Sequence, residues 1–417
     1  MSNRNTMSKN ILIIGGGAAG MMAAIAASEK GNRVTLVEKN EELGKKLLVT
    51  GNGRCNVTNI AEPREMLAHV VSNGKFLHSA FHGFSSADLI ELLEGCGVSL
   101  KEEEDGRMFP RTEKAVDVRD ALRLLLVERN VNIIRGYEVE GLIIKDGVCE
   151  GIKGIAADYT IIATGGMSYP NTGSTGDGFK WAKEAGHTIV KPRPGLTGLI
   201  IQEDSLRSLQ GISLENAKLS FKEELDNTHP NPKRKPKEKL KTGDIIFTHF
   251  GISGPAAIKM SSYLPENCKE IKMDSLPKIS RESIESLFIN GAKEHGKKEV
   301  KTVLAEALPR SFVEFLLTKS DIPEDRRLAD MTKVERNKLI NEIKEMTFKI
   351  EGLQGFNSAM ITRGGVATGQ IDPKTMESRI VKGLKFAGEV IDVDAETGGF
   401  NLQIAWSTGW ISGATIC

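Results

Sequence analysis

Residues 11 to 20 read ILIIGGGAAG, and no other stretch restricts the fold of this 417-residue chain so strongly. An apolar run, Ile11 to Ile14, ends at Gly15, Gly17 and Gly20 in the spacing G-x-G-x-x-G. A small-residue segment of helical character follows, then a second apolar run, Val34 to Val37, closed by Glu38. Strand, glycine turn, helix, strand and terminal acid make a dinucleotide-binding βαβ unit. Each glycine has its own reason: a tight turn at Gly15, close backbone approach to a pyrophosphate at Gly17, and helix-to-sheet contact at Gly20. The pyrophosphate then sits on the positive end of the helix. Glu38 can accept hydrogen bonds from both hydroxyls of an adenosine ribose, and a 2′-phosphate would be repelled there. The fingerprint alone does not separate FAD from NAD.

The chain is too long for one small core, so two or three domains are expected. The formal net charge is +1, so no global field draws the chain to nucleic acid or to an anionic membrane. The residues before Ile11 are polar, and no run approaches the length of a membrane span. Five cysteines, Cys55, Cys96, Cys149, Cys268 and Cys417, are scattered without a C-x-x-C pair. That pattern predicts a reduced cytoplasmic protein with no structural zinc and no other metal site.

Beyond the opening unit, ELGKKLLVTGNGRCNVTN has neither helical nor strand period and is expected to be a loop laid over a ligand. Ser85 and Asp88 form a capping box, and Asp117 is placed to cap a second helix. Three strands are expected around Tyr137 to Ile144, Val148 to Ile155 and Tyr159 to Ala163, with Asp146-Gly147 as a hairpin turn. Pro192 and Pro194 mark a change to β-rich texture that runs to about Met273. Residues 280–349 are helical in pattern: Thr332 and Glu335 give another capping box, and Leu339, Ile343 and Met346 share a face. The expected domains are therefore 1–190, a β-rich insert at 191–275, a helical insert at 276–353, and a return to the first domain at 354–417.

Two distant segments carry the cofactor assignment. IIATGG, Ile161 to Gly166, contains Thr164 and Gly165; LKFAGEVID, Leu384 to Asp392, contains Gly388 and Glu389. Both are apolar strands that deliver a glycine turn, and the second adds an acid suited to the sugar chain of a flavin dinucleotide. Next comes GGFNLQIAWSTG, Gly398 to Gly409. Here Gly399 permits close approach, and a helix starting near Asn401, Leu402 and Gln403 aims free amides at whatever lies before it. Positive charge at that point would stabilise an anionic reduced ring.

Five motifs together resemble one family: GNGRCNVTN, GGMSYPNTGSTGDG, FTHFGISGP, GGVATGQIDPKTMESR and FAGEVIDVDAETGGFNLQIAWSTG. The chain is similar, nearly end to end, to bacterial BaiN-like NAD(P)/FAD-dependent oxidoreductases, some of which are called aminoacetone oxidases. The resemblance implies an α/β fold: a Rossmann-like FAD domain of glutathione-reductase type, interrupted by a β-barrel-like and a helical subdomain. It also implies non-covalent FAD. Position by position, it suggests that Gly15, Gly17, Ala18, Ala19, Glu38 and Lys39 hold the adenosine and pyrophosphate. Lys45, Asn52, Gly53, Arg54, Cys55 and Asn56 would line the middle of the cofactor. A guanidinium at Arg54 would compensate negative charge on a pyrophosphate or reduced flavin. The departure from the family pattern is a lysine- and proline-rich interruption, Asn227 to Lys241.

Cys55 has no second cysteine close in sequence, so a packed spectator thiol is favoured over a redox-active one. His249 in FTHFGISGP and Tyr169 in SYPNTGSTG are the candidate catalytic, substrate-side groups, as proton carriers; packing residues held by hydrogen bonds are the alternative for each. The run Lys233 to Lys241 holds six Lys or Arg without interleaved aromatics, which reads as a solvated loop rather than a nucleic-acid reader. The expected function is hydride transfer through flavin N5 between NAD(P)H, bound transiently, and a small organic acceptor or oxygen. An aminoketone oxidase and an RNA-binding flavoprotein are the alternatives. The sequence does not fix the substrate or the oligomeric state, and neither a nucleic acid nor a membrane is an expected partner.

Overall fold

Five short apolar runs line up as parallel strands. A computed structural model describes residues 8–222 and 238–416. In it the strand order is Leu384–Phe386, Tyr159–Ile162, Asn10–Ile14, Arg33–Val37 and Asn132–Ile134, with every neighbouring pair parallel. Leu12, Ile13, Ile161 and Phe386 are fully buried, as expected for a parallel sheet covered on both faces. Burying each such side chain contributes about 1.5–3 kcal/mol. The carboxyl ends of four neighbouring strands lie side by side: Gly15 N donates to Val37 O, Ala163 N to Ile14 O, and Ala387 N to Ile162 O. The ends at Ile14, Ile162 and Phe386 run into glycine turns, and the end at Val37 runs into Glu38.

Two helices cover the sheet next to those turns. Helix Ala18–Glu29 is alanine-rich and buried along most of its length, so it has no polar face to show solvent. The C-terminal helix Phe400–Ala414 is equally apolar. The two come together at backbone distance, because a Cβ at Gly409 would lie 2.3 Å from Ala19 O and one at Gly413 2.2 Å from Ala23 O. These pairs run in the same direction along both helices, so the helices are parallel. The C-terminal helix overshoots the other by about eight residues, roughly 12 Å at 1.5 Å per residue.

The chain divides into two compact units, Met1–Gly195 with Phe356–Cys417, and Leu196–Gly355. The second holds a closed six-stranded barrel in the order Leu199–Ile201, Gly251–Ser253, Glu238–Thr248, Ser213–Lys222, Glu270–Asp274 and Met346–Leu353. Helices Arg281–His295, Val300–Leu304, Arg310–Lys319 and Lys333–Glu345 lie between its last two strands in sequence. They share one core with the barrel: Phe247 stacks on Phe312, and Ile343, Met346 and Phe348 are buried in the same cluster.

Several expectations need correction. Strand Ile189–Gly195 pairs antiparallel with Ile361–Val366 inside the first unit, so Pro192 and Pro194 belong to that unit and not to the insert. The β and helical parts are not successive modules, because Met346–Leu353 returns to close the barrel against Leu199–Ile201. Met346 therefore starts a strand, paired with Met273, instead of ending a helical face. Asp117 does not cap its helix, which begins at Ala115; its carboxylate accepts from the Thr112 hydroxyl within the first turn. The capping boxes at Ser85–Asp88 and Thr332–Glu335 both form. Asp146 and Gly147 both take positive φ in the predicted hairpin turn, while Ile155 moves into a further two-residue strand. Residues 227–237 of the basic interruption lie outside the described residues. Glu238 to Lys241 are strand, not loop, with the Lys239 and Lys241 ammonium groups 5.3 and 4.3 Å from the centre of the Tyr263 ring.

Gly409→Ala is expected to destabilise the protein by about 1–3 kcal/mol, since the methyl must displace backbone. Gly369→Ala, whose Cβ would meet nothing within 4 Å, should change stability by less than about 0.5 kcal/mol. Urea unfolding midpoints of the two variants check this.

Candidate functional site

The phosphate turn is built as its glycines predict. Gly15 has φ +106°, and a Cβ there would lie 2.5 Å from Ala163 O. At Gly20 a Cβ would lie 1.8 Å from Gly15 O, so only hydrogen lets the helix reach the turn. Around Gly17 a Cβ would meet nothing within 4 Å; the space a ligand needs is open there. Gly17 caps the helix without any side-chain hydrogen bond, and the first turn holds no acid. The amides of Ala18, Ala19 and Gly20 have no carbonyl partner within the helix.

Glu38 ends the second strand and is 9% exposed. Its carboxylate accepts from Gly16 N at 2.7 Å, Asn40 N at 2.8 Å and Asn40 Nδ2 at 2.7 Å. Those three donors keep an acid at the strand end, and a carboxylate offers about four acceptor positions, so one remains for a further donor. Lys39 is engaged with Asp177 and the Thr175 hydroxyl, both at 2.6 Å. Burial alone would raise the Asp177 carboxyl, but the Lys39 and Thr175 bonds outweigh it and hold it below its usual range.

The second turn, Thr164 to Gly166, abuts the first. Gly165 has φ +73°, and the Thr164 hydroxyl is buried without a hydrogen-bond partner. Gly388, at φ +75°, is pressed against helix Ala18–Glu29: a Cβ would lie 2.8 Å from Ala19 Cβ, and Gly388 N donates to Thr408 Oγ1 at 2.9 Å. Glu389 follows with four donors, Thr362 N at 2.6 Å, Lys46 Nζ at 2.7 Å, Ser168 Oγ at 3.1 Å and Gly166 N at 3.3 Å. The lysine that reaches this corner is Lys46; Lys45, the expected one, is exposed.

In the GNGRCN stretch, Leu47–Gly53 forms a 3-10 segment kinked at Thr50 to Asn52, with Asn52 and Gly53 at positive φ. Arg54 is already engaged within the protein. Its guanidinium pairs with both oxygens of Glu103, at 2.9 and 3.3 Å, and lies 4.2 Å from the Phe109 ring centre. Arg54 and Lys101 together hold the Glu103 carboxyl below its ordinary range. Cys55 is fully buried, and burial pushes its thiol up to about 12 against a weaker hydrogen bond with Thr50. It stays protonated at any physiological pH, which suits a packed thiol and not a nucleophile. The Asn56 carboxamide donates to Thr58 O and Met108 O and accepts from Gly399 N at 3.0 Å, tying this stretch to the start of the last helix.

Gly399 has φ +95°, and a Cβ would lie 2.3 Å from the Thr58 carbonyl carbon. Helix Phe400–Ala414 begins there without a side-chain cap. The Asn401 side chain is used internally, bonding Ala395 N, Ala395 O and Glu396 O. Gln403 is fully buried and bonds Thr58, Phe84 O and Ser407. Both side chains therefore serve the fold, which leaves the expectation for this helix start where it was placed, on its backbone amides. What this end offers is the backbone amides of Phe400, Asn401 and Leu402.

Tyr169 takes a left-handed φ of 52° beside Ser168, with its amide bonded to Phe356 O. His249 lies in the other unit. It is exposed, packs edge-on against Phe250 at 5.1 Å, and lines a cavity of about 280 Å³ with Glu203, Arg207, Thr248 and Glu351.

An open glycine cradle under one uncapped helix, a second uncapped helix on a parallel course whose start lies roughly 12 Å before it, and an acid at the second strand's end suit an elongated dinucleotide. The profile of the HI0933-like protein Rossmann domain matches residues 9–415. The chain belongs to that family. It is 30% identical over 413 residues to the 3-dehydro-bile acid delta(4,6)-reductase of Clostridium scindens, covering 96% of this chain and 97% of the relative. It is 32% identical over 414 residues to the ribosomal RNA dihydrouridine synthase of Escherichia coli, covering 96% of each. The solved 3-ketosteroid-delta4-(5alpha)-dehydrogenase of Rhodococcus jostii, in complex with 4-androstene-3,17-dione, has the same fold at 13% identity. Its TM-score is 0.50, over 100% of this chain and 99% of that one.

This HI0933-like protein is an FAD-dependent oxidoreductase, as the BaiN-like motifs implied. No helix among the described residues is long and apolar enough to cross a membrane. The expectation that nucleic acid is not a partner finds no support, since one relative is named for ribosomal RNA. Sequence reading missed Lys46, Ser168 and Thr362. The Lys45-Lys46 doublet gave the residue type, and only the position of Glu389 selects between the two.

Gly17→Ala is expected to fold normally yet bind FAD about tenfold more weakly or worse, because a misplaced methyl in a tight site costs about 1–3 kcal/mol; FAD titration of apoprotein measures it. Alkylation at pH 8 followed by mass spectrometry should leave Cys55 unmodified in the native protein and modify it in urea.

Proposed function

We propose that this protein reduces a carbon–carbon double bond conjugated with a carbonyl, taking electrons from NAD(P)H through non-covalently held FAD. The carrying observation is the pair of uncapped helix starts in one unit, Gly17–Ala18 and Gly399–Phe400, with Glu38 at the adjoining strand end. Bound there, FAD supplies hydride transfer through N5. Amides of Ala18 to Gly20 would bind its pyrophosphate, Glu38 a ribose hydroxyl, and amides of Phe400 to Leu402 the electron-rich edge of the ring.

The acceptor class is supported by two relatives. A 3-dehydro-delta(4,6) steroid holds its double bonds in conjugation with the 3-carbonyl, and making dihydrouridine saturates a bond conjugated with a ring carbonyl. Hydride then adds at the carbon at the far end of the conjugated system, β in uracil or in an enone and δ in a dienone, and a proton completes the saturated bond. Tyr169, in the same unit as the phosphate turn, is the candidate proton donor. A uridine in RNA is the second reading of the acceptor, supported by the E. coli relative. Cysteines scattered without a C-x-x-C pair support a reducing cytoplasmic setting.

An anaerobic experiment tests this. NADH or NADPH should bleach the yellow holoprotein, and a steroid dienone or a uridine-containing ribosomal RNA fragment should restore the colour with formation of the saturated product. Bleaching by aminoacetone and not by NAD(P)H would replace the proposal with an amine oxidase.

A further inference from the structure

Lys46 stands where three glycine turns meet. Its own segment is fastened to the phosphate turn by Gly44 N to Gly16 O at 2.8 Å. Its ammonium lies 2.6 Å from Ser168 Oγ, just beyond the Gly165–Gly166 turn, and 2.7 Å from Glu389 Oε2, just beyond Gly388. A count of donors and acceptors separates the two members of this ion pair. An ionised carboxylate has about four acceptor positions and an ammonium three N–H groups. Glu389 is saturated: Lys46 and Gly166 N occupy Oε2, and Thr362 N and Ser168 Oγ occupy Oε1. Lys46 uses two of its three N–H groups. Both side chains keep part of their surface open, 24% for Lys46 and 21% for Glu389.

We propose that Lys46, rather than Glu389, is the side chain that meets bound FAD at this corner, and that Glu389 is a positioning residue acting through it. The inference rests on the FAD reading above. Lys46 donates its remaining N–H to an oxygen of the cofactor's sugar–phosphate chain. Glu389, held rigidly by two backbone amides, fixes the ammonium and confines four rotatable bonds that would otherwise cost entropy on binding. The pair also changes the charge that an anionic cofactor meets. Glu389 alone would repel it, and Glu389 with Lys46 is neutral.

The test is a double-mutant cycle on apoprotein, read as FAD affinity by fluorescence titration and as midpoint potential by dye-coupled reduction, neither of which depends on turnover of any acceptor. Lys46→Met should weaken FAD binding about tenfold or more, the size of a lost hydrogen bond from a charged group, and should lower the midpoint potential. Glu389→Gln should weaken binding in the wild-type background and cause no further loss in the Lys46→Met background, where removing the unpaired anion relieves repulsion instead. Equal losses from Glu389→Gln in both backgrounds, or unchanged affinity and potential in Lys46→Met, would overturn the proposal. Should Lys46→Met fail to fold, Lys46→Arg and Lys46→Gln decide the same point: the arginine variant must bind FAD more tightly than the glutamine variant, and equal affinities overturn it. Wild-type apoprotein that takes up no FAD overturns the cofactor reading as well. Failure of every acceptor leaves this inference standing while the proposed function falls.

Discussion

The contact of two helix backbones through glycine sets the geometry of the whole cofactor unit. Gly20 lets helix Ala18–Glu29 sit on the Gly15 turn, and Gly409 and Gly413 let the C-terminal helix lie along Ala19 and Ala23. Because these contacts are backbone to side-chain-free backbone, there is little slack in them. They fix the axial offset between two bare helix starts, and with it the spacing of two positive ends. The far end of the C-terminal helix is secured in the same spirit. Lys385 is fully buried on the edge strand Leu384–Phe386, and its Nζ donates to Ser412 O and Thr415 Oγ1. A donor at a helix C-terminus complements the dipole whose other end faces the site.

Charge around the site is arranged so that acids are never left alone. Glu38 is held by three donors and Glu389 by four, while Arg54 is spent on Glu103 and Phe109. Carboxylates fixed this way are oriented without requiring the ligand to order them. The buried thiol of Cys55 contributes no charge at all. The net effect is a unit in which uncompensated positive potential comes from amides at helix starts, a form of preorganisation that needs no side-chain rearrangement when a dinucleotide arrives.

The inserted unit is organised differently, as a barrel with its helices spliced between the last two strands. Phe312 and Phe315 of one of those helices share a core with barrel residues Phe247 and Phe348. That shared burial explains why residues 276–353 read as a separate helical module: the helical period is real, and what closes the unit is Met346–Leu353, whose alternating burial is too short and irregular to stand out beside it.

Legibility followed the range of the interaction. The βαβ unit, the two later strand-to-glycine turns, both capping boxes and the 146–147 hairpin depend on neighbours within a few residues, and each could be read from the chain. Boundaries and partners were less readable. Asp117 looked like a cap because its type and position suit one, yet the helix had already begun at Ala115. Asn401 and Gln403 sat at the right helix start, but their side chains turn inward to Ala395 and Thr58. By itself, the sequence determined the strands, the glycine turns and the cofactor family, because backbone conformation at glycine and apolar periodicity are local properties. Tertiary structure alone decided that Lys46 and not Lys45 meets Glu389, 343 residues away, and that Arg54 is already paired, because which charges meet depends on distances that only the folded sheet creates.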